Sequence, residues 1–138
     1  MKRVFADTHF FIALLNARDE AHARAVQVEN GPKLHLITTR WVLAEVADAM
    51  ASPAHRSRAA RFLTLAKANP WLTILTATDA LFEQGCDLYT TRPDKDWSLT
   101  DCISFVAMTN EGLTEALTGD RHFEQAGFKA LLAQPDGL

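Results

Sequence analysis

Four short runs rich in apolar and β-forming residues, at positions 4–6, 34–38, 71–75 and 115–118, are separated by longer stretches whose apolar residues recur at helical spacing. This alternation constrains the fold more than any other feature of the chain. Strands that alternate with helices close into a parallel sheet, because each helix carries the chain back across a sheet face to start the next strand. The expected fold class is therefore α/β, a three-layer α/β/α stack around a mainly parallel, doubly wound sheet. Val4-Phe5-Ala6 is apolar without alternation, as a strand covered on both faces must be. Phe10, Phe11, Ala13, Leu14 and Leu15 follow at helical spacing. A helix at 21–28 stops at Asn30-Gly31-Pro32, one at 40–51 stops before Pro53, and one at 55–68 stops at Asn69-Pro70. Thr39 and Thr78 stand where a hydroxyl would cap the helices that follow them. A further apolar helix is expected at 99–109, and a weak last strand near 129–133. At 138 residues the chain has room for one ordinary domain, taken as residues 1–138.

Composition narrows the setting. With 48% apolar and 22% charged residues, the chain can bury a core and differs from a disordered segment. No stretch approaches the ~20 apolar residues of a membrane span. Met1-Lys2-Arg3 resembles the start of a signal peptide only superficially, since Asp7 and His9 interrupt the apolar run that follows. Cys86 and Cys102 lie in apolar helical patterns without a CxxC motif, and read as buried free thiols in a reducing cytoplasm. A net charge of −3 does not advertise nucleic-acid binding. The basic residues are nevertheless unevenly spread: His55, Arg56, Arg58, Arg61 and Lys67 share one stretch, and Arg92 and Lys95 share a loop. Each arginine suits a solvated helix face as well as a phosphate contact.

In doubly wound sheets ligands bind beyond the carboxyl ends of the strands, so the residues directly after strands matter most. Asp7 and Asp120 stand there. Each has a plain alternative, Asp7 as a helix N-cap and Asp120 as a turn residue beside Gly119. Asp101 closes Ser98-Leu99-Thr100-Asp101, which has the spacing of a capping box. Its helix is apolar around most of its circumference, however, and a carboxylate buried there needs a positive partner, an arginine or a metal ion. Glu45 lies at the edge of a stripe formed by Val42, Leu43, Val46, Ala49 and Met50, where an ordinary boundary glutamate would serve equally. Converging, the four acids would repel one another and require cations. Oxygen ligands without histidine or thiolate select hard ions, Mg2+ or Mn2+, which support phosphodiester hydrolysis.

Four segments carry a family resemblance: Val4-Phe5-Ala6-Asp7-Thr8, Val42-Leu43-Ala44-Glu45-Val46, Ser98-Leu99-Thr100-Asp101, and Leu117-Thr118-Gly119-Asp120-Arg121-His122-Phe123. In this order and spacing the chain resembles a PIN domain of the VapC-type ribonuclease toxins over essentially its whole length. The resemblance implies a flavodoxin-like sheet, a homodimer, Mg2+ or Mn2+ as cofactor, and endoribonuclease activity restrained by a cognate antitoxin protein. It implies that Asp7 and Asp101 are the principal metal ligands, with Glu45 and Asp120 completing the pocket. Thr8 and Thr118, and Thr100 with them, match positions where the family often has a hydroxyl near the metal or scissile phosphate. Arg56, Arg92 and Arg121 then become candidates for holding an RNA backbone. The chain departs from many relatives in being acidic overall. Two other readings compete. A phosphatase of the haloacid-dehalogenase type needs a second aspartate where His9 stands, and His9 reads instead as a packing residue at a helix start. A PIN fold serving only as a binding module would keep the architecture without using the acids.

Overall fold

The computed structural model describes residues 1–133. Strand β1 (Lys2–Ala6), with Val4, Phe5 and Ala6 wholly buried, lies at the centre of a five-stranded sheet. It pairs with β2 (Leu34–Thr39) on one side and with β4 (Glu115–Leu117) on the other. Strands β3 (Leu72–Leu75) and β5 (Lys129–Ala130) form the edges, so the order is β3-β2-β1-β4-β5, with every pair parallel. The chain winds outward from β1 through β2 to β3, then crosses back to lay down β4 and β5. That reversal falls between β1 and β4, and the crevice beyond the carboxyl ends of two such strands is the binding position of a doubly wound sheet.

Each crossover is helical. Helices α1 (Thr8–Leu15) and α2 (His22–Asn30) join β1 to β2, and α3 (Arg40–Ala49) and α4 (Pro53–Ala68) join β2 to β3. Helices α5 (Asp79–Thr91) and α6 (Leu99–Asn110) return the chain to β4, and the short α7 (Arg121–Gln125) leads to β5. The expected three-layer α/β/α architecture is the one found. Thr39 and Thr78 cap α3 and α5, accepting from the Val42 and Leu81 amides.

The boundaries differ from expectation where local chemistry outweighs periodicity. Helix α4 starts at Pro53 rather than residue 55, because the proline that stops one helix is pre-set for the first turn of the next. Strand β3 starts at Leu72; Trp71 is exposed beneath Lys33, and joins the sheet only through its carbonyl, which accepts from the Leu36 amide. Helix α3 ends at Ala49, Thr118 falls one residue beyond β4, and β5 stops at Ala130. Helix α7 goes unannounced by any apolar stripe, since five residues are too few for one. No helix among the described residues is long and apolar enough to cross a membrane. Both cysteines are free, but only Cys102 is fully buried; Cys86 is half-buried.

An aromatic chain fastens α6 and α7 to the sheet. Phe123 of α7 lies 6.4 Å from Phe5 of β1, ring centre to ring centre, and meets Phe105 of α6 edge-on at 4.9 Å. Phe105 in turn takes the edge of Trp97 at 5.0 Å. Such offset and edge-on contacts add to the stabilisation from burying the rings.

Helices α5 and α6 pack most closely at Gly85, where an added Cβ would stand 2.3 Å from Ile103 Cγ1 and 3.1 Å from Ile103 Cα. Alanine is favoured over glycine in a helix by about 1 kcal/mol. Overpacking a tight contact costs about 1–3 kcal/mol, and here one of the clashing atoms is backbone. Gly85→Ala should therefore lower the midpoint of a urea melt despite its better helix propensity. A melt unchanged or shifted upward would show that the α5–α6 contact is looser than described.

Candidate active site

Asp7 is the N-cap residue of α1 by backbone position, yet its side chain makes no capping hydrogen bond. The Phe10 and Phe11 amides reach the Asp7 carbonyl instead. Its carboxylate turns to β4, where Oδ2 accepts a 2.8 Å hydrogen bond from Thr118 Oγ1. Only 6% of Asp7 is exposed. Burial pushes its pKa up to about 7, against the lowering effect of the Thr118 hydroxyl and the Thr8 amide; the charges of Asp101 and Glu45 raise it further.

Thr118 is the junction of the site. Wholly buried just past β4, it donates to Asp7 and accepts from the Asp120 amide at 3.0 Å. Asp120 then caps α7, its Oδ1 accepting from the His122 amide at 2.9 Å. Gly119 between them leaves room for His9: a Cβ there would meet the His9 ring at 2.8 Å, and the Gly119 amide donates to His9 Nδ1. His9 thus packs the start of α1 against the turn before α7, as the sequence suggests.

Asp101 makes contacts of two kinds. It forms a full capping box with Ser98, and its Oδ2 accepts from the Ser98 amide at 3.1 Å. The same oxygen lies 3.0 Å from His122 Nδ1. Oδ1 has no hydrogen-bond partner among the described residues, so capping leaves half the carboxylate open. Burial is the largest influence raising the Asp101 pKa; the Ser98 amide and His122 oppose it, and the charge of Asp120 adds to it. Where the sequence calls for an arginine or a metal ion facing Asp101, the side chain in contact is the imidazole of His122. Glu45 joins from α3, accepting a 2.5 Å hydrogen bond from Thr8 Oγ1.

The four acids therefore meet at the β1–β4 crevice, linked through Thr8, Thr118 and His122. The tightest group of candidate metal donors is Asp101, Asp120 and His122, whose ligand atoms lie within 4.8 Å of one another. Beside the oxygen donors expected from the sequence, that set offers one imidazole nitrogen. His122 escapes sequence reasoning because its role depends on Asp120 starting a helix; the spacing Asp-x-His just after a strand is the one signal that points to it. The cations are brought together less well. Arg121 opens α7 beside Asp120. Arg56 instead donates to the Ala51 carbonyl, and Arg92 is forked onto Asp94 at 3.0 and 3.1 Å, so neither joins the acidic network.

The sequence pattern of the PIN domain matches residues 4–129. The chain belongs to the PIN-domain family. This PIN chain is 27% identical over 125 residues to the 23S rRNA-specific endonuclease VapC20 of Mycobacterium tuberculosis, spanning 91% of this chain and 95% of that relative. The crystal structure of VapC20, described as a sarcin–ricin loop cleaving toxin, matches with a TM-score of 0.81 and 28% identity at the same coverage. The PIN fold is also shared with VapBC2 of Rickettsia felis, bound to a DNA fragment from its promoter, at a TM-score of 0.64, 12% identity and 93% and 96% coverage. VapBC-1 of nontypeable Haemophilus influenzae gives 0.63, 13%, and 94% and 98%.

The residues present fit a divalent cation on their own chemistry. With its pKa at about 7, Asp7 is only about half ionised at neutral pH until positive charge compensates it, and the neighbouring acids supply hard oxygen donors. The same burial makes stability depend on pH. Unfolded, Asp7 loses its proton near pH 3.8; folded, it holds the proton to about pH 7. Between those values the native PIN domain binds more protons than the unfolded chain, so Asp7 makes stability fall as pH rises from about 4 to 7, by roughly 4 kcal/mol at most. In EDTA the wild type should melt lower at pH 8 than at pH 5, and Asp7→Asn should melt several degrees above it at pH 8. Mn2+ should raise the wild-type melting temperature at pH 8 and raise that of Asp7→Asn much less. An Asp7→Asn protein that melts no higher than wild type in EDTA at pH 8 would contradict this role of Asp7.

Proposed function

We propose that this PIN domain is a metal-dependent endoribonuclease, the toxin of a VapC-type toxin–antitoxin pair. The observation that carries the reading is the meeting of Asp7, Glu45, Asp101 and Asp120 at the β1–β4 switch point, joined through Thr118 and His122. The likeness to VapC20 supports it, being spread over nine-tenths of the chain and reaching a TM-score of 0.81. The substrate class is RNA, and by that likeness a structured ribosomal loop is the first candidate. The VapBC assemblies that share the fold support an antitoxin partner. A homodimer and a cytoplasmic location complete the reading.

Asp101 and Asp120 would hold the cation, Mg2+ or Mn2+, with His122 orienting Asp101 or adding a nitrogen ligand. Asp7 would ionise against it from the buried side, and Glu45, tied to Thr8, would close the pocket from α3. When bound, such a cation activates water and neutralises charge developing on a phosphodiester. Thr118 keeps Asp7 in place and so belongs to the positioning of the site. Arg121, the arginine nearest the acids in sequence, would hold a backbone phosphate beside them. Cleavage would leave 5′-phosphate and 3′-hydroxyl ends.

The test is cleavage of 23S rRNA and of a sarcin–ricin stem–loop by the purified protein in Mg2+, Mn2+ or EDTA. Cutting should require the metal. Asp7→Asn and Asp101→Asn should each lower it by about two orders of magnitude or more, the scale of several kcal/mol of lost charge stabilisation. His122→Ala should cost about 10–100-fold in metal affinity or rate, as loss of a ligand-orienting partner does. Full cleavage in EDTA, or by Asp7→Asn, would end the metal-nuclease reading.

A further inference from the structure

A second cleft, of about 530 Å3, is not accounted for by the cation site. It opens between the end of α5 and the start of α6, and Tyr89, Arg92, Lys95, Asp96, Trp97 and Cys102 line it. Trp97 precedes and Cys102 follows the first turn of α6, so the cleft lies at the end of the helix that carries Asp101. Its construction is specific. Trp97 is nearly buried, its indole N–H donating to Gln125 Oε1 at 3.0 Å and its ring held edge-on by Phe105. Two cations rest over that ring: Arg92 at 5.2 Å and Lys95 at 5.9 Å from its centre. Asp94 engages Nε and Nη2 of Arg92, leaving Nη1 without a partner among the described residues. Lys95 forms no ion pair at contact distance among the described residues. Tyr89, by contrast, is 52% exposed on the cleft wall.

A fixed tryptophan that presents two cations, in a cleft also lined by an exposed aromatic ring, matches the chemistry of a single-stranded nucleotide. The cations suit its phosphate and the phenol ring suits its base. We propose that this cleft holds a nucleotide flanking the scissile phosphodiester, with Tyr89 stacking on the base and Lys95 and Arg92 meeting the phosphate. The proposal rests on the nuclease reading above and adds a recognition subsite to it. It also gives Arg92 a place in the substrate path that its distance from the acidic network would otherwise deny.

The test uses the inactive Asp7→Asn protein and a short fluorescein-labelled single-stranded RNA of randomised sequence, followed by anisotropy, with cleavage by otherwise wild-type protein measured in parallel. Adding Tyr89→Ala should weaken binding about tenfold, within the ~5–150-fold that one base stack spans. Tyr89→Phe should restore most of it. Lys95→Gln should reduce the salt dependence of log Kd by about 0.7, the value for one single-strand phosphate contact. In cleavage, Tyr89→Ala should raise KM far more than it lowers kcat. An abasic residue moved along a cleaved RNA should abolish the Tyr89 effect at one position only. Kd values unchanged in the Tyr89 and Lys95 variants, with cleavage intact, would overturn the subsite and leave the nuclease reading standing. Tyr89-dependent binding without any cleavage by the wild type would keep the subsite and overturn the nuclease reading. A wild type that neither cuts RNA nor, as Asp7→Asn, binds it would overturn both.

Discussion

The carboxyl edge of this sheet depends on one buried hydrogen bond, from Thr118 Oγ1 to Asp7 Oδ2. The parallel order brings the ends of β1 and β4 side by side, and these two residues follow those ends directly. An unpaired carboxylate in such a place would cost several kcal/mol of lost hydration. The threonine reduces that cost without removing it, since the pKa of Asp7 still stands well above the usual carboxylate range. The site is thus built under electrostatic tension that a proton relieves at low pH and a cation can relieve at neutral pH. Natural cation sites made of clustered acids share this trade of native-state stability for binding.

Thr118 lies just outside β4. Its amide turns back to the Ala116 carbonyl, and its hydroxyl serves Asp7 on one side and the Asp120 amide on the other. Asp120 then opens a five-residue helix that could not persist alone, since helix nucleation outweighs so short a gain. Phe123 holds it down: wholly buried, its ring sits between Phe5 and Phe105, while Asp120 and His122 emerge toward the crevice. Two candidate cation donors are therefore positioned by an apolar anchor on the same short helix. A change at Phe105 or Phe123 would be felt at the site without touching it.

How much of this the sequence discloses depends on the range of the interactions involved. Strand–helix alternation rests on local periodicity, so the layer architecture and most element positions are legible. Asp7 and Asp120 are legible too, because a parallel sheet makes the residues after strands special wherever the strands fall in the order. Asp101 is readable in two ways, as cap or as site residue, and the two are compatible because the capping oxygen, Oδ2, also meets His122 while no described residue bonds Oδ1. His122 is not legible in the same way. Its role follows from a helix too short for periodicity and from the packing of α6 beside α7. The arginines are harder to read: a long side chain reaches many partners, and local contacts take Arg56 to the Ala51 carbonyl and Arg92 to Asp94.

The acidic total bears on what kind of nuclease this fold can support. A chain of net charge −3 with its acids gathered at the binding edge repels an approaching phosphate backbone until cations reverse the local sign. Non-specific affinity for nucleic acid grows with the number of phosphates neutralised, and Arg56 and Arg92 are in part engaged with protein oxygens. Binding strength must then come from elsewhere: from bound dications, from stacking, and from a fit to RNA that already holds a nucleotide splayed out. Loops and bulges offer that shape, whereas a regular RNA helix hides its bases in a groove too narrow to read. On the function proposed above, a PIN domain of this construction would meet loops and bulges more readily than regular duplex RNA.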